Sequence, residues 1–171
     1  AALEARDALQ YDLDFSGYFR LAAVPAGWRY KGGSLAPGDF QSLGTDPPAF
    51  IALAEVKMDG QQAVLEARAY DAVRGDLIHG SRYRSSLANI RQAAHHYADD
   101  LVQKLFGAQG VGQTKILFVG RVGKEGKEIY LCDYDGENLL KLTSLGKLNM
   151  MADVNKAGTK IAFVSFLNTY P

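Results

Sequence analysis

Residues 86–107, SLANIRQAAHHYADDLVQKLFG, decide how the rest of the chain is read. Leu87, Ile90, Ala94, Tyr97, Leu101 and Leu105 recur at steps of three and four, which lays one apolar stripe along a helix. Ser85 or Ser86 is placed to cap the first amide groups, and Gly107 to close the last turn in the left-handed conformation. Before this segment short strands mix with helix; after it come only strands and turns. The pattern predicts the central helix of a first domain, residues 1–113, and a second, all-β domain at 114–171.

The composition narrows the function. Lys+Arg and Asp+Glu both number 19, so the net charge is +0, which argues against a nucleic-acid binder with its clustered basic excess. A single cysteine, Cys132, excludes an internal disulfide. No apolar run approaches the roughly 20 residues that span a bilayer. The start, AALEARDAL, lacks a charged segment followed by an apolar h-region, so no signal peptide is read there. The chain opens inside a helical pattern and stops at FVSFLNTYP straight after a strand, so both ends read as cut.

Working outward toward the amino end, residues 2–13 form a helical pattern. Ala2, Ala5, Leu9 and Leu13 share a face, with Glu4, Arg6 and Asp12 toward water, and Ser16-Gly17 ends it. Tyr18, Phe19 and Leu21 read as an aromatic foot beneath that helix. Residues 23–48 hold five glycines and four prolines, a long loop with one helical turn at 39–43. Residues 49–56 (AFIALAEV) read as a strand buried on both faces, and Asp59-Gly60 as a hairpin turn. Residues 63–70 alternate as a second strand, and 77–84 form a third after Arg74-Gly75-Asp76. The fold class is α+β, a mixed sheet with two helices on one side.

Toward the carboxyl end, AQGVGQ reads as a linker. Strands follow at 115–122, 128–134, 139–143 and 160–166, with a hairpin signal at Asp135-Gly136. KILFVGR and KIAFVSF resemble each other about 45 residues apart, a spacing in the propeller-blade range. The four strands read as one blade, an all-β partial propeller. A lone blade exposes apolar faces, so self-association through 115–166 is expected.

Candidate chemistry is sparse. Gly107 to Thr114 has the glycine spacing of a phosphate loop, but Gln113 replaces the lysine, and the order helix–loop–strand reverses the one required. His95, His96, Asp99 and Asp100 fall into two i,i+4 pairs. Neither supplies the three or four converging ligands zinc wants, so they read as His–Asp pairs at the helix surface or sheet contact. His79 has no obvious partner in the sequence. Cys132 reads as a small buried residue, and Asp133-Tyr134-Asp135-Gly136-Glu137 as a tight turn lacking the twelfth-position calcium ligand. Arg68, Tyr70, Arg82 and Arg84 make a polar, aromatic sheet face. No catalytic, cofactor-binding or metal residue is assigned.

Four stretches carry a family resemblance. DLDFSGYFRL at 12–21 resembles a helix end followed by S-G-x-F. AAHHYADDLVQKLFG at 93–107 resembles A-x-H-x-x-x-D…K-L-x-G, with His95 and Asp99 at the matching positions. TKILFV at 114–119 resembles T-[RK]-I-x-[FY]-V. CDYDGENLLKLT at 132–143 and NKAGTKIAFVSF at 155–166 resemble D-x-D-G-x-N and S-P-D-G-x-x-[IL]-A-[FY]. Together these resemble the TolB family of the bacterial Tol–Pal envelope system. Two departures stand out: Asn155-Lys156-Ala157-Gly158 replaces S-P-D-G, and Phe40 replaces a tryptophan.

The resemblance implies a periplasmic, non-enzymatic interaction protein. It links inner-membrane Tol proteins to Pal, for outer-membrane integrity and cell-division constriction, and is exploited by some bacteriocins. It also implies that the segment contacting TolA would precede Ala1, and that most of the six-bladed propeller that binds Pal would follow Pro171, so no partner-binding residue is carried over. The alternatives are a nucleotide-binding enzyme using residues 107–114 and an RNA-binding α+β module.

Overall fold

The computed structural model describes residues 1–24, 28, 30, 48–124 and 126–167. The chain divides into two compact units, Ala1–Gly112 and Gln113–Pro171. The glycine- and proline-rich loop with its helical turn at 39–43 lies largely outside the described residues.

In the first unit α1 spans Ala2–Phe15. Strands β1 (Phe50–Asp59), β2 (Gln62–Asp71) and β3 (Leu77–Ser85) form a sheet in that order. A 3-10 turn at Leu87–Asn89 leads into α2, Ile90–Phe106. Both strand pairs are antiparallel, so the sheet is not mixed. Short hairpin connections dictate this; a parallel neighbour needs a crossover of a dozen or more residues. The β1–β2 turn is Gly60-Gln61, with Asp59 opposite Gln62 and Gly60 at φ +63°.

Burial follows strand position. β2 is the central strand, and Ala63, Val64, Leu65, Ala67, Ala69 and Tyr70 are all buried along it. β1, expected to be buried on both faces, is an edge strand with Phe50 and Met58 exposed. Its apolar run reflected residue type, and the edge position left it half-covered. Ala63, Leu65, Ala67 and Ala69 of β2 pack with Ala5, Ala8, Leu9 and Leu13 of α1 and with Ile90, Ala94, Tyr97, Ala98 and Leu101 of α2. The two helices therefore share one side of the sheet. Their alanines let the backbones approach closely, and Tyr97 is buried against the sheet, its ring stacked on His79 of β3.

The start of α2 differs from the serine-capped helix expected. Ser85 Oγ donates to the Ser86 carbonyl, neither serine caps the helix, and the 3-10 turn brings in Asn89 instead. Leu87, ahead of the α-helical phase, is exposed. Gly107 closes α2 at φ +67°, as its place predicts. The aromatic foot packs on the end of α2: Tyr18 stacks on Phe106 at 4.8 Å, and Phe19 meets the same ring edge-on at 5.2 Å.

The second unit contains β4 (Lys115–Val122), β5 (Gly126–Asp133), β6 (Leu140–Lys141), β7 (Asn149–Val154) and β8 (Ile161–Ser165). β4, β5 and β6 form one antiparallel sheet, and β7 with β8 another. The segment expected as the fourth strand of one blade, β8, thus pairs with β7, which the sequence reading passed over. Met151, at φ +55° within a β-bulge, interrupts the alternation that would have marked β7. Buried Glu128 of β5 ties the two sheets: it accepts from Asn149 Nδ2 of β7 at 3.0 Å.

Candidate functional site

His95, His96, Asp99 and Asp100 of α2 each reach a partner outside the helix. His95 is buried and its Nδ1 lies 2.7 Å from Asp12 Oδ2 of α1, so this pair joins the two helices inside the core. Asp12, expected to face water, is equally buried. The signal was present: Asp12 stands four residues after Ala8 and three after Leu9, within the apolar stripe. Asp99 accepts the Gly112 amide at 2.8 Å. Asp100 accepts the Tyr83 hydroxyl of β3, and His96 stacks on the Tyr83 ring at 6.0 Å. Burial, with help from the Asp100 carboxylate, pushes the Tyr83 phenol up to about 12. His79 does have partners: Ser81 Oγ at 3.1 Å and the Tyr97 ring at 5.5 Å.

The glycine loop is not a phosphate cradle. It follows the carboxyl end of α2 and enters β4, and its Gly112 amide points at the carboxylate of Asp99. A phosphate brought here would meet negative charge where the motif requires a lysine.

The outer face of the first sheet is a network of ion pairs. Glu55 and Glu66 stand directly opposite each other in register, and Lys57 Nζ bridges them at 3.0 and 3.1 Å. Arg82 Nε and Arg68 Nη2 also approach Glu66, at 3.3 and 3.6 Å, and Arg84 pairs with Asp59 at 3.3 Å. The hydrogen bond from Lys57, then the arginine charges, outweigh partial burial and hold Glu66 below the usual carboxylate range. Tyr70 is buried rather than displayed on this face. A shallow cavity of about 90 Å³ is lined by Tyr30, Leu53, Ala54, Glu55, Glu66 and Arg68. That is well below the roughly 300 Å³ at which small-molecule pockets begin.

In the second unit Cys132 is buried. Asp133 accepts from Lys115 Nζ and, at 2.6 Å, from Asn138 Nδ2; Asp135 Oδ1 accepts the Glu137 amide at 3.0 Å. The acidic run is a turn held by its own carboxylates. The group the sequence reading missed is Glu128. Its Oε2 accepts from the Thr143 hydroxyl and Asn149, and its Oε1 accepts the Gly146 amide at 2.7 Å. Burial raises the carboxyl, but the Thr143 hydroxyl, the Gly146 and Leu145 amides and the Lys141 charge together hold it below its ordinary value.

No protein-family model matches the chain. It is 30% identical over 165 residues to the Tol-Pal system protein TolB of Geobacter sulfurreducens, which covers 94% of this chain and 37% of that protein. Over most of its length the chain is similar to TolB proteins. A TolB homolog of Chlorobaculum tepidum is 33% identical over 161 residues, covering 93% of this chain and 36% of that one. The fold agrees: the crystal structure of TolB from Acinetobacter baumannii matches with a TM-score of 0.78 over 96% of this chain and 41% of that one, at 21% identity. The chain therefore spans less than two fifths of the length of these curated TolB relatives. Among the described residues no helix is long and apolar enough to cross a membrane.

Proposed function

We propose that the chain is the first domain and the beginning of the propeller of a periplasmic, non-enzymatic Tol–Pal component. Its role is to link inner-membrane Tol proteins, TolA among them, to Pal, in support of outer-membrane integrity and constriction at division. Entry of some bacteriocins would exploit the same protein. The observation that carries this reading is similarity to TolB proteins across 94% of the chain.

The propeller part rests on the internal repeat. KILFVGR forms β4 and KIAFVSF supplies β8, and the two lie in separate antiparallel sheets. Ile116 and Phe118 on one face of β4 and Val119 on the other are all partly exposed, as in a sheet made to be covered on both sides. On this reading β4–β6 belong to one blade and β7–β8 to the next, which replaces the single four-stranded blade expected from the sequence. The carboxylate at the glycine loop disfavours the nucleotide-enzyme alternative.

Calorimetric titration of a purified Pal domain, into this chain and into a TolB of full family length, tests the role. Binding by the longer protein supports the adaptor reading, and binding by this chain as well places a contact within residues 1–171. Heat from neither would end it.

A further inference from the structure

The glycine-rich segment after α2 reads in the sequence as a loose connection. In the structure it is fastened. Asp99 lies two turns before the end of α2, yet it contacts both Gly110 and Gly112, so the chain doubles back over the helix after Gly107. A Cβ on Gly110 would fall on the Asp99 carboxylate and 2.7 Å from its Cα, which means the loop backbone lies directly against the helix. A Cβ on Gly112 would stand 3.1 Å from Asp99 Oδ1, 3.1 Å from the His95 carbonyl and 3.2 Å from Asp12 Oδ2. Both glycines therefore serve close approach, since neither has a positive φ. The Gly112 amide donates to Asp99 Oδ1 at 2.8 Å, and Asp12 is itself positioned by His95. Two helices thus shape one slot that admits bare backbone and supplies a charged acceptor for its N–H.

We propose that Asp99, backed by the Asp12–His95 pair, is a latch that holds residues 110–112 on the helix pair, so that the chain leaves the first unit from a fixed point after Gly112. Left free, residues 108–112 would add roughly 17 Å of extended reach to the segment. The latch removes that reach. It accounts for three features that neither a phosphate loop nor a surface His–Asp pair explains: the glycines at 110 and 112, the inward Asp99 and the buried Asp12.

Amide hydrogen exchange on the whole chain tests this. The Gly112 amide should be protected in the wild type. Asp99→Ala should speed its exchange by about tenfold or more, the loss expected for a hydrogen bond to a charged acceptor, while Ala98, Leu101 and Val102 keep their protection. Asp99→Asn, which retains an acceptor oxygen, should lose less. If Asp99→Ala also loosens α2, Gly110→Ala decides, because it displaces the loop without removing any helix side chain. Exchange at Gly112 as fast as in an open loop in the wild type would overturn the latch. So would slow exchange in both Asp99→Ala and Gly110→Ala.

Discussion

Replacing Glu128 by Gln keeps the shape of a buried side chain and removes its charge. In the wild type the carboxylate receives the Thr143 hydroxyl, the Gly146 amide and Asn149 Nδ2, and it is about 1% exposed. Gln presents one acceptor oxygen and one NH2 group. If the oxygen stays with Gly146, the NH2 faces Thr143 and Asn149. Thr143 Oγ1 already accepts the Ile129 amide, and Asn149 Nδ2 keeps the Lys127 and Lys147 carbonyls at 2.9 and 3.3 Å. The loss is therefore one donor facing another and the conversion of charge-assisted bonds to neutral ones, about 2–3 kcal/mol. The chain forms two units, so a global melt is not two-state, and exchange of the Ile129 amide in rising urea is the appropriate readout. The pH dependence has a definite sign. The folded carboxyl lies below its ordinary 4.5, so its contribution is complete above 4.5 and fades as pH falls through the lower folded value. The gap between wild type and Glu128→Gln should thus be full at pH 7 and narrow in acid. Equal stability at pH 7, or a gap that persists unchanged well below pH 4, would refute the reasoning.

Asp12→Ala removes the buried partner of His95 Nδ1 and should cost the first unit about 1–3 kcal/mol, read from exchange of the Ala94 and Leu101 amides in urea. Tyr97→Phe should be neutral or slightly stabilising, because the Tyr97 hydroxyl is buried without a hydrogen-bond partner among the described residues; a loss above about 1 kcal/mol, read from exchange of the Ala94 and Leu101 amides in urea, would contradict that. Leu101→Ala should cost about 2–5 kcal/mol in the first unit and leave the exchange of second-unit amides unchanged. The partly exposed apolar side chains of β4 and the exposed Leu140 and Met151 should drive concentration-dependent association of the isolated chain; a strictly monomeric sedimentation profile at high concentration would count against it.

Much of this was legible from residue order. The stripe at Ile90, Ala94, Tyr97 and Leu101, the αL glycine at 107, the Asp59-Gly60 hairpin and the repeated KI-x-FV strands are local patterns, and each appears where its spacing predicts. The candidate site was less legible. The spacing of His95 and Asp99 suggests an i,i+4 pair, whereas His95 meets Asp12 of α1 and Asp99 meets the Gly112 amide, both outside the helix. β1 and β8 show the same limit: apolar content marked them as strands without saying that one would be an edge or that the other would pair with β7.

By itself, then, the sequence determined the elements other than β7, because helix and strand periods and turn chemistry act between residues a few positions apart, while the TolB likeness rested on its motif stretches. Tertiary structure alone decided the partners: Asp12 for His95, 83 positions away, Gly112 for Asp99, and Asn149 for Glu128. A buried polar group must be satisfied by whatever donor or acceptor the folded chain brings within about 3 Å, and nothing in its neighbours along the chain names that group in advance.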